Sequence, residues 1–336
     1  MDDSAALVPV LIHRNQFPDR VRAALRESFA NRRIDHRFHY DTPLRAHRWL
    51  RVHRAWSPSR TDPAGQAIYD DAFARVANEM AGSTSTVIGL GCGGGQKDAS
   101  LLRRLAESGR PPRYVALDVS GPLVLIAREA AVPVVGPSGV TPVVADLLGA
   151  TDLPEALEAH LAADGSRVLT FFGMIPNFEP RAILARLGAW VRPGDRLLFS
   201  ANLVPEENLE AGMGRILPQY DNAETRQWLS TVLEDHGLPP ESGRLEFAAE
   251  VIAGRPELRR FSAWWRVEKT SRAVVDEAEF GFQPGDRLRV FFSYRYTSAT
   301  LRGLLNEHGL EVDQEWTASS AGEGVFLCRR AEGPSD

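Results

Sequence analysis

Glycines and carboxylates in the first half of the sequence occur at the spacing of a nucleotide-binding site. Residues 87–98 read Val-Ile-Gly-Leu-Gly-Cys-Gly-Gly-Gly-Gln-Lys-Asp, an apolar run that passes into a glycine cluster. Asp118 and Asp146 each end a further apolar run. Glycine lets the backbone approach a ligand closely, and a carboxylate accepts hydrogen bonds from ribose hydroxyls or an adenine amino group. The pattern favours an adenosine-type ligand.

The elements that must position these residues follow an alternating pattern of strands and helices. Continuous apolar spacing before the glycines changes to helical spacing after them, which is typical of strand, tight turn and helix. The same alternation continues to residue 202 and predicts an α/β fold with a parallel sheet. The predicted strands are 86–90, 113–118, 141–145, 167–172 and 196–201, and the predicted helices are 96–107, 121–131, 153–163 and 180–191.

Ligands of such sheets bind at the carboxyl ends of the strands. The dinucleotide pattern Gly-x-Gly-x-x-Gly is matched only loosely, and the position of Asp146 together with segment 172–178 favours a methyl donor over NAD. A strand that ends in aspartate can also cap the following helix, so that interpretation stays open for Asp118. The predicted cofactor-binding residues are Gly89, Gly91, Gly93, Lys97, Asp118 and Asp146.

Outside this region the sequence predicts a second, discontinuous domain. Its predicted strands follow one another at hairpin spacing, so they should be antiparallel. We predict a core of 63–202 and 297–330 and an accessory domain of 1–62 and 203–296. The further predicted elements are helices 19–31, 63–81, 223–236 and 298–308, a loop at 36–43, and strands 244–251, 258–268, 271–276, 287–294, 311–316 and 324–330.

The composition is that of a globular protein. The 336 residues are 43% hydrophobic and 25% charged, and every apolar run is broken well short of the roughly 20 residues of a membrane span. The start, Met1-Asp2-Asp3-Ser4, lacks the order of a secretory signal, and two cysteines suit a reducing compartment. We therefore expect a cytoplasmic protein without a membrane partner. No spacing of His, Cys or acidic residues predicts a metal site.

Charge is distributed unevenly along the chain. The net charge is −5, but residues 1–60 hold twelve arginines and six acidic residues. A basic face can bind nucleic acid. Lysine occurs only as Lys97 and Lys269, however, so arginine serves as the general solubilising cation and nucleic acid is not the expected partner. The oligomeric state does not follow from the sequence.

Several short motifs, in their order and spacing, resemble a known family. The sequence is similar to the histidine-specific N-α-methyltransferases of ergothioneine biosynthesis, and the resemblance covers nearly the whole chain. The motifs are Phe38-x-Tyr40-Asp41, Trp56-Ser57-Pro58-Ser59-Arg60, Leu90-Gly91-x-Gly93 through Lys97, Leu117-Asp118-Val119, Ile175-x-Asn177-Phe178-x-Pro180, Tyr220-Asp221, Ser293-x-Arg295-Tyr296-Thr297 and Trp316-Thr317.

The resemblance implies a class I S-adenosyl-L-methionine (SAM)-dependent methyltransferase, with a Rossmann-like α/β core and a discontinuous α+β accessory domain that forms an acceptor pocket. It implies that Tyr40, Asn177 and Tyr220 hold the amino and carboxylate ends of an amino acid, with Asn177 and Tyr40 in the catalytic position. Ser293 matches a residue that contacts the acceptor's side chain. Asn177 could instead cap the helix that starts near Pro180. Both tyrosines could be ordinary half-buried aromatics.

The sequence departs from the family pattern at three positions of the implied acceptor pocket. A glutamate that binds imidazole is replaced by Phe291, a tyrosine by Trp56 and a methionine by Ala263. Trp56 could also be a core residue. Without the carboxylate, a buried imidazole N–H would lack a partner, at a cost of about 1–3 kcal/mol. The departures predict a more apolar pocket that suits an aromatic or aliphatic side chain.

The sequence thus predicts a divergent member of this family that methylates the amine of an α-amino acid, or a small molecule derived from one, in specialised metabolism. SAM is the predicted cofactor and S-adenosyl-L-homocysteine (SAH) the product. Two alternatives stay open. The protein could still methylate histidine, or it could be a non-catalytic binding protein whose arginine-rich N-terminus contacts a partner or nucleic acid.

Overall fold

The helices and strands alternate through the middle of the chain, as the sequence predicts. The computed structural model describes residues 7–80, 85–107, 112–158, 160–161, 165–205, 209–318 and 322–331. The described strands are β1 (Leu11–Ile12), β2 (Ser85–Leu90), β3 (Arg113–Asp118), β4 (Val140–Val144), β5 (Ser166–Phe172), β6 (Arg196–Asn202), β7 (Gly243–Ile252), β8 (Arg255–Val267), β9 (Ser271–Val275), β10 (Ala278–Phe282), β11 (Arg287–Arg295), β12 (Leu310–Thr317) and β13 (Glu323–Arg330). The described α-helices are α1 (Pro18–Ala30), α2 (Pro43–Trp56), α3 (Pro58–Thr61), α4 (Pro63–Glu79), α5 (Gln96–Glu107), α6 (Gly121–Val135), α7 (Leu153–Glu158), α8 (Pro180–Trp190), α9 (Leu209–Tyr220), α10 (Ala223–Glu234) and α11 (Ser298–Glu307).

The main sheet has the strand order β1-β4-β3-β2-β5-β6-β13-β12. Strands β1 to β6 pair in parallel, and β13 is antiparallel to both of its neighbours. The strand order reverses between β2 and β5, which places the ends of β2, β3 and β5 around one crevice. The predicted α/β fold class is confirmed.

Successive side chains of each parallel strand enter two different cores, because they point to opposite faces of the sheet. Val87 packs with helices α4, α5 and α6, whereas Ile88 packs with α7, α8 and α11. Strands buried on both faces read as continuous apolar runs, which is why residues 86–90 and 113–118 were recognisable in the sequence.

The second part of the structure is built on the antiparallel sheet β11-β8-β7 and the hairpin β9-β10. A third core lies between this sheet, helix α10 and the N-terminal helices. Buried Arg45 connects the two chain segments, since its guanidinium lies 2.7 Å from Asp41 and 2.6 Å from Asp235. Trp228 Nε1 donates to the carbonyl of His39 at 2.8 Å. The arginine-rich N-terminus therefore supplies internal ion pairs.

Five of the described strands and α-helices were missed by the sequence analysis. They are β1, α2, α3, α9 and β10. Helix α9 contains two glycines and Pro218, so its intrinsic helix propensity is poor, and burial of Met213 near Val204 and Phe261 compensates. The predicted loop at 36–43 contains a short 3₁₀-helix, His36–His39. Helix α7 is described to Glu158, and of the remaining residues of the predicted helix, 159 and 162–163 lie outside the described residues. Helix α6 continues to Val135, beyond the predicted residue 131.

The N-terminal segment does not lie wholly with the accessory part. Strand β1 pairs with β4 in the main sheet, Leu11 opposite Val143, and Asn15 Nδ2 donates to the carbonyl of Asp146 at 3.0 Å. The predicted assignment of residues 1–62 to the accessory domain therefore needs correction at this strand. A two-residue strand carries too little pattern to be read from sequence.

Within the described ranges, no helix has the length and apolar character required to cross a lipid bilayer.

Candidate functional site

A cavity of about 440 Å³ lies at the carboxyl ends of β2, β3, β5 and β6. One side, here called the glycine wall, is formed by residues 91–97 and Asp118. The opposite side, here called the accessory wall, is formed by Tyr40, Tyr220, Trp228, Phe291, Ser293 and Arg295. The cavity thus lies between the main sheet and the accessory sheet, and a ligand bound to one wall faces the other.

The glycine wall depends on backbone conformations that favour glycine. Gly91, Gly93 and Gly95 have φ angles of 66°, 53° and 72°. A Cβ at Gly91 would lie 2.8 Å from Met174 Cγ, and one at Gly93 would lie 2.9 Å from Trp49 Cη2. Helix α5 begins directly after this turn, so its unsatisfied N–H groups face the cavity side of the turn. The turn suits a ligand that approaches the main chain.

Asp118 ends β3 beside this turn and accepts two main-chain hydrogen bonds. The N–H of Gly93 donates at 3.0 Å and the N–H of Ser120 at 2.9 Å. Burial raises the pKa of Asp118 to about 6, although these N–H groups act in the opposite direction. The N-cap of α6 is Ser120, which accepts from Leu123 N, so Asp118 is not the cap. Its carboxylate lines the cavity and can accept hydroxyl donors.

Two predicted cofactor residues lie outside the described lining of the cavity. Gly89 is within β2, where a Cβ would lie 2.6 Å from buried Asp98, so packing requires the glycine. Asp146 is 3.1 Å from Arg37 and also accepts from the N–H groups of Leu148 and Gly149. Its carboxylate is thus already ion-paired and hydrogen-bonded within the protein. Its contact with adenine stays a prediction.

Lys97 belongs to a buried polar network that also lines the glycine wall. Its Nζ donates to the Tyr69 hydroxyl at 2.6 Å and lies 3.5 Å from Glu323 Oε1, to which Tyr69 is also hydrogen-bonded. Burial lowers the pKa of Lys97, and Glu323 partly offsets this. Glu323 Oε2 is buried without a hydrogen-bond partner in the described structure. Glu323 and Lys97 both line the cavity.

Helix α2 covers the cavity with one face, formed by Trp49, His53 and Trp56. These residues are spaced four and three apart, so they lie on the same side of the helix. Burial, together with nearby Lys97 and Arg60, lowers the pKa of His53 to about 3, and its imidazole is therefore neutral at neutral pH. The Nε1 of Trp56 is buried, and no described residue accepts from it. The sequence predicts Trp56 in the acceptor pocket, and Trp56 lines this cavity.

The accessory wall presents alternate residues of β11. Phe291, Ser293 and Arg295 line the cavity because successive strand residues point to opposite faces. The Ser293 hydroxyl is 3.0 Å from that of Tyr220. Phe291 is only 7% exposed, and its ring centroid is 5.8 Å from that of Trp228 and 6.0 Å from that of Tyr220.

Ala263 does not line the cavity among the described residues. It lies opposite Phe291 in β8 and is completely buried. Its small side chain therefore affects the site through the packing of the sheet under Phe291. The structure brings together the other predicted acceptor residues, namely Tyr40, Trp56, Asn177, Tyr220, Phe291 and Ser293.

Tyr40 lies where the two walls meet. Its ring is 5.6 Å from Trp49 and 5.5 Å from Trp228, measured between centroids. Burial raises the pKa of Tyr40, with smaller contributions from Asp118 and Tyr220, so the hydroxyl stays protonated. The buried Ser120 hydroxyl donates to the Tyr40 carbonyl at 2.6 Å, which attaches this segment to the end of β3.

Asn177 approaches the cavity from the turn after β5. It ends a 3₁₀-helix, Ile175–Asn177, and its N–H donates to the carbonyl of Met174 at 2.9 Å. Helix α8 has Glu179 at its N-cap position, so the capping interpretation of Asn177 is wrong. Its side chain is available to a ligand, because no described group forms a hydrogen bond with it.

The groups between the walls are suited to orienting a ligand rather than to removing a proton. A tyrosine with a raised pKa and a histidine with a pKa of about 3 are poor bases at neutral pH. The Asn177 amide is neutral and can both donate and accept. The site therefore fits a reaction accelerated mainly by bringing two reactants together.

Several lining residues were not recognised from the sequence as functional. Glu323, His53, Trp49, Trp228 and Arg295 belong to this group, and Tyr69 contacts the lining residues Lys97 and Glu323 from outside it. Arg295 was part of a quoted motif but received no role, and the Trp49-His53-Trp56 spacing would have indicated a common face once helix α2 was recognised. Tyr69 and Glu323 are 254 residues apart, so no local pattern joins them.

The chain matches the model of the family described as "Histidine-specific methyltransferase, SAM-dependent" over residues 66–330. The chain is similar to the crystal structure of a SAM-dependent methyltransferase from Clostridium acetobutylicum, with 11% identity, a TM-score of 0.43, and coverage of 85% of this chain and 99% of that one. It is also similar to the 1,6-didemethyltoxoflavin-N1-methyltransferase of Burkholderia thailandensis, with 16% identity, a TM-score of 0.39, and coverage of 85% and 91%. No curated protein matches the chain. These distant likenesses do not identify the acceptor.

Proposed function

The chain belongs to the family of histidine-specific, SAM-dependent methyltransferases, and we propose that it methylates the amino nitrogen of an α-amino acid, or of a small molecule derived from one, other than histidine. The observation that carries this proposal is the accessory wall. There the apolar ring of Phe291 lines the cavity, and the rings of Trp228 and Tyr220 lie beside it. An apolar wall favours an aromatic or aliphatic side chain and leaves an imidazole N–H unpaired.

The glycine wall fits SAM. Gly91 and Gly93 allow close approach of the methionine and ribose parts to the main chain, and Asp118 provides a buried acceptor for ribose hydroxyls. Lys97 supplies a cation at the same wall. The cofactor supplies a methyl group on a sulfonium centre, and the protein determines which atom faces that methyl group.

The acceptor's nitrogen attacks with its lone pair, so it must enter the reaction unprotonated. In our proposal Asn177 and Tyr40 orient this lone pair, since both line the cavity where the two walls meet. When the carbon–nitrogen bond forms, the carbon–sulfur bond breaks and its electron pair stays on sulfur. The methylated ammonium then releases a proton to solvent. Positioning of this kind can contribute roughly 7–11 kcal/mol to lowering the barrier.

Histidine is the second candidate acceptor, because the family is described as histidine-specific. The polar groups Ser293 and Tyr220 could contact an imidazole. The arrangement of Phe291 argues against efficient use of histidine, since no carboxylate stands at that position. A non-catalytic binding role has no specific support in the cavity.

The affinity of the protein for SAH should depend on pH through Asp118. Burial raises the pKa of the free carboxyl group to about 6, and ribose hydroxyls donate to the ionised form, so binding at lower pH must release a proton. Affinity should therefore fall by up to about tenfold per pH unit as the pH drops from about 6 to 5, and it should be constant above about pH 7. Isothermal titration calorimetry across this range measures the profile. Asp118→Asn should remove the inflection, whereas a flat wild-type profile would contradict the assignment.

The acceptor can be identified by incubating the protein and SAM with a pool of amino acids and amines, followed by mass spectrometry. We expect mass increments of one or more methyl groups on an aromatic or aliphatic amino acid, and little product from histidine. Asp118→Ala provides the inactive control. Trimethylated histidine as the main product would overturn the proposed specificity, and no product from any member of the pool would overturn the enzymatic proposal for amino acids.

We also propose that the protein is cytoplasmic and acts in specialised metabolism, as the sequence predicts. The two cysteines, Cys92 and Cys328, are both free thiols, which suits a reducing compartment. Fractionation of cells that produce the protein tests the location.

A further inference from the structure

Arg295 at the end of β11 is a buried cation on the accessory wall. It is 2% exposed, and its guanidinium makes two contacts, from Nη2 to the Tyr220 hydroxyl at 2.5 Å and from Nη1 to the Tyr294 carbonyl at 3.5 Å. Its Nε is buried without a partner among the described residues, and its described hydrogen bonds go to Tyr220 and Tyr294 and not to a carboxylate. The structure thus leaves a donor of this cation unused beside the cavity.

Burying an unpaired guanidinium in this position is energetically unfavourable for a protein without a ligand. Arginine stays protonated at any physiological pH, and buried charges are normally paired with an opposite charge. The rings of Tyr220 and Phe261 lie 5.3 and 6.0 Å from its Cζ, which gives partial compensation only. An anionic group on a bound ligand would complete the site.

We infer that Arg295 binds the carboxylate of the methyl acceptor, so that the substrate class is free amino acids with an unblocked carboxylate. This inference rests on the proposed methylation of an amino acid and narrows it. Amides, esters, decarboxylated amines and peptide-bound residues lack the anion that pairs with Arg295. Among the described residues of the accessory wall, Arg295 is the only charged side chain.

The order of residues along β11 fixes the direction of the bound acceptor. Phe291, Ser293 and Arg295 share one face, and neighbouring members are about 6–7 Å apart because each strand residue rises about 3.3 Å. Arg295 lies beside Tyr296, whose N–H donates to the carbonyl of Asn202 at the end of β6. The carboxylate end therefore lies near the main sheet, and the side chain extends toward Phe291.

The hydroxyl groups next to Arg295 also favour an anion. Arg295 donates to the oxygen of Tyr220, which in turn is 3.0 Å from the Ser293 hydroxyl. The hydrogen bond between the two hydroxyls uses only one of their two protons, so the other proton stays free for donation. A second unpaired donor, Nε1 of Trp56, lines the same cavity.

The test compares three forms of each acceptor found in the amino-acid pool: the free acid, its carboxamide and its decarboxylated amine. For the wild-type protein we expect kcat/KM to be about 10- to 150-fold higher for the acid, the range for a hydrogen bond to a charged group. A carboxamide lowers the pKa of the neighbouring amine, which by itself favours the amide, so a preference for the acid reports recognition of the anion.

Arg295→Gln should reduce the ratio of acid to carboxamide to near one, with unchanged affinity for SAH. Arg287→Gln is the matched control, because Arg287 lies on the same strand but is exposed and outside the described lining of the cavity. That control should retain the wild-type ratio. If Arg295→Gln does not fold, equal use of the acid and the carboxamide by the wild-type protein still overturns the inference, and Arg295→Lys, which keeps the positive charge, should retain a preference for the acid.

The two proposals fail in different ways. Methylation of the carboxamide or amine as efficiently as the acid, or an undiminished ratio in Arg295→Gln, would overturn the role of Arg295 and leave the methyltransferase activity intact. Absence of product from all three forms would overturn the proposed function, and the inference with it.

Discussion

Asp118→Ala should lower the affinity of the protein for SAM and SAH by about 10²- to 10⁴-fold. Two ribose hydroxyls that donate to one carboxylate are each worth about 1.5–3 kcal/mol, the range for hydrogen bonds to charged groups. The substitution also removes the acceptor for the N–H of Gly93, at 3.0 Å, and so loosens the glycine turn itself. Calorimetry with SAH, which cannot react, measures the loss without an acceptor.

Asp146→Asn is the matched control for this experiment. The Asp146 carboxylate is bound by Arg37 and by two main-chain N–H groups and does not line the described cavity, so the variant should lose much less affinity. A loss as large as that of Asp118→Ala would support the adenine contact predicted from the sequence. Binding by Asp118→Ala within about threefold of the wild type, with an unchanged melting temperature, would contradict the role given to Asp118.

Phe291→Glu should shift the preference of the enzyme from the proposed apolar amino acid towards histidine. A carboxylate at this position offers an acceptor for an imidazole N–H, so kcat/KM for histidine should rise about 5- to 150-fold, the equivalent of about 1–3 kcal/mol. The same carboxylate would lie against the side chain of the proposed apolar acceptor and beside the rings of Trp228 and Tyr220, which should lower kcat/KM for that acceptor by a comparable factor. Steady-state kinetics with both amino acids gives the ratio.

Two further substitutions separate charge from size at this position. Phe291→Leu removes the ring without adding an acceptor and should not raise activity on histidine. Phe291→Gln adds a neutral acceptor and should give an intermediate gain. Equal activity on histidine for the leucine and glutamate variants would show that space, and not hydrogen bonding, controls the choice of acceptor.

The core of the fold was predictable because its signals are local. Strands β2 and β3 are buried on both faces, so their apolar runs are continuous, and the glycines that follow are required by their φ angles. Asp118 could be placed at a strand end from sequence, and the structure puts it beside the glycine turn. The position of Asp146 was equally regular, yet Arg37 occupies its carboxylate, because the N-terminal segment folds back onto the sheet edge.

The accessory part was less predictable. Helix α9 has a composition that disfavours helix, and β10 is a short, half-exposed hairpin strand, so both owe their structure to the surfaces on which they pack. Strand β1 is too short to produce any periodicity. In these elements tertiary packing overrides local propensity.

By itself, the sequence determined the class of fold, the glycine turn with Asp118, and the family to which the chain belongs. Each of these can be recognised from residues that are contiguous or regularly spaced. Only the tertiary structure decided which side chains share the cavity and which of them have partners. It shows that Lys97 contacts Tyr69 and Glu323 and that Asp146 and Ala263 lie outside the described lining of the cavity. It also shows that no carboxylate among the described residues pairs with Arg295. Pairing of charges depends on distances between residues far apart in the chain, and those distances exist only after folding.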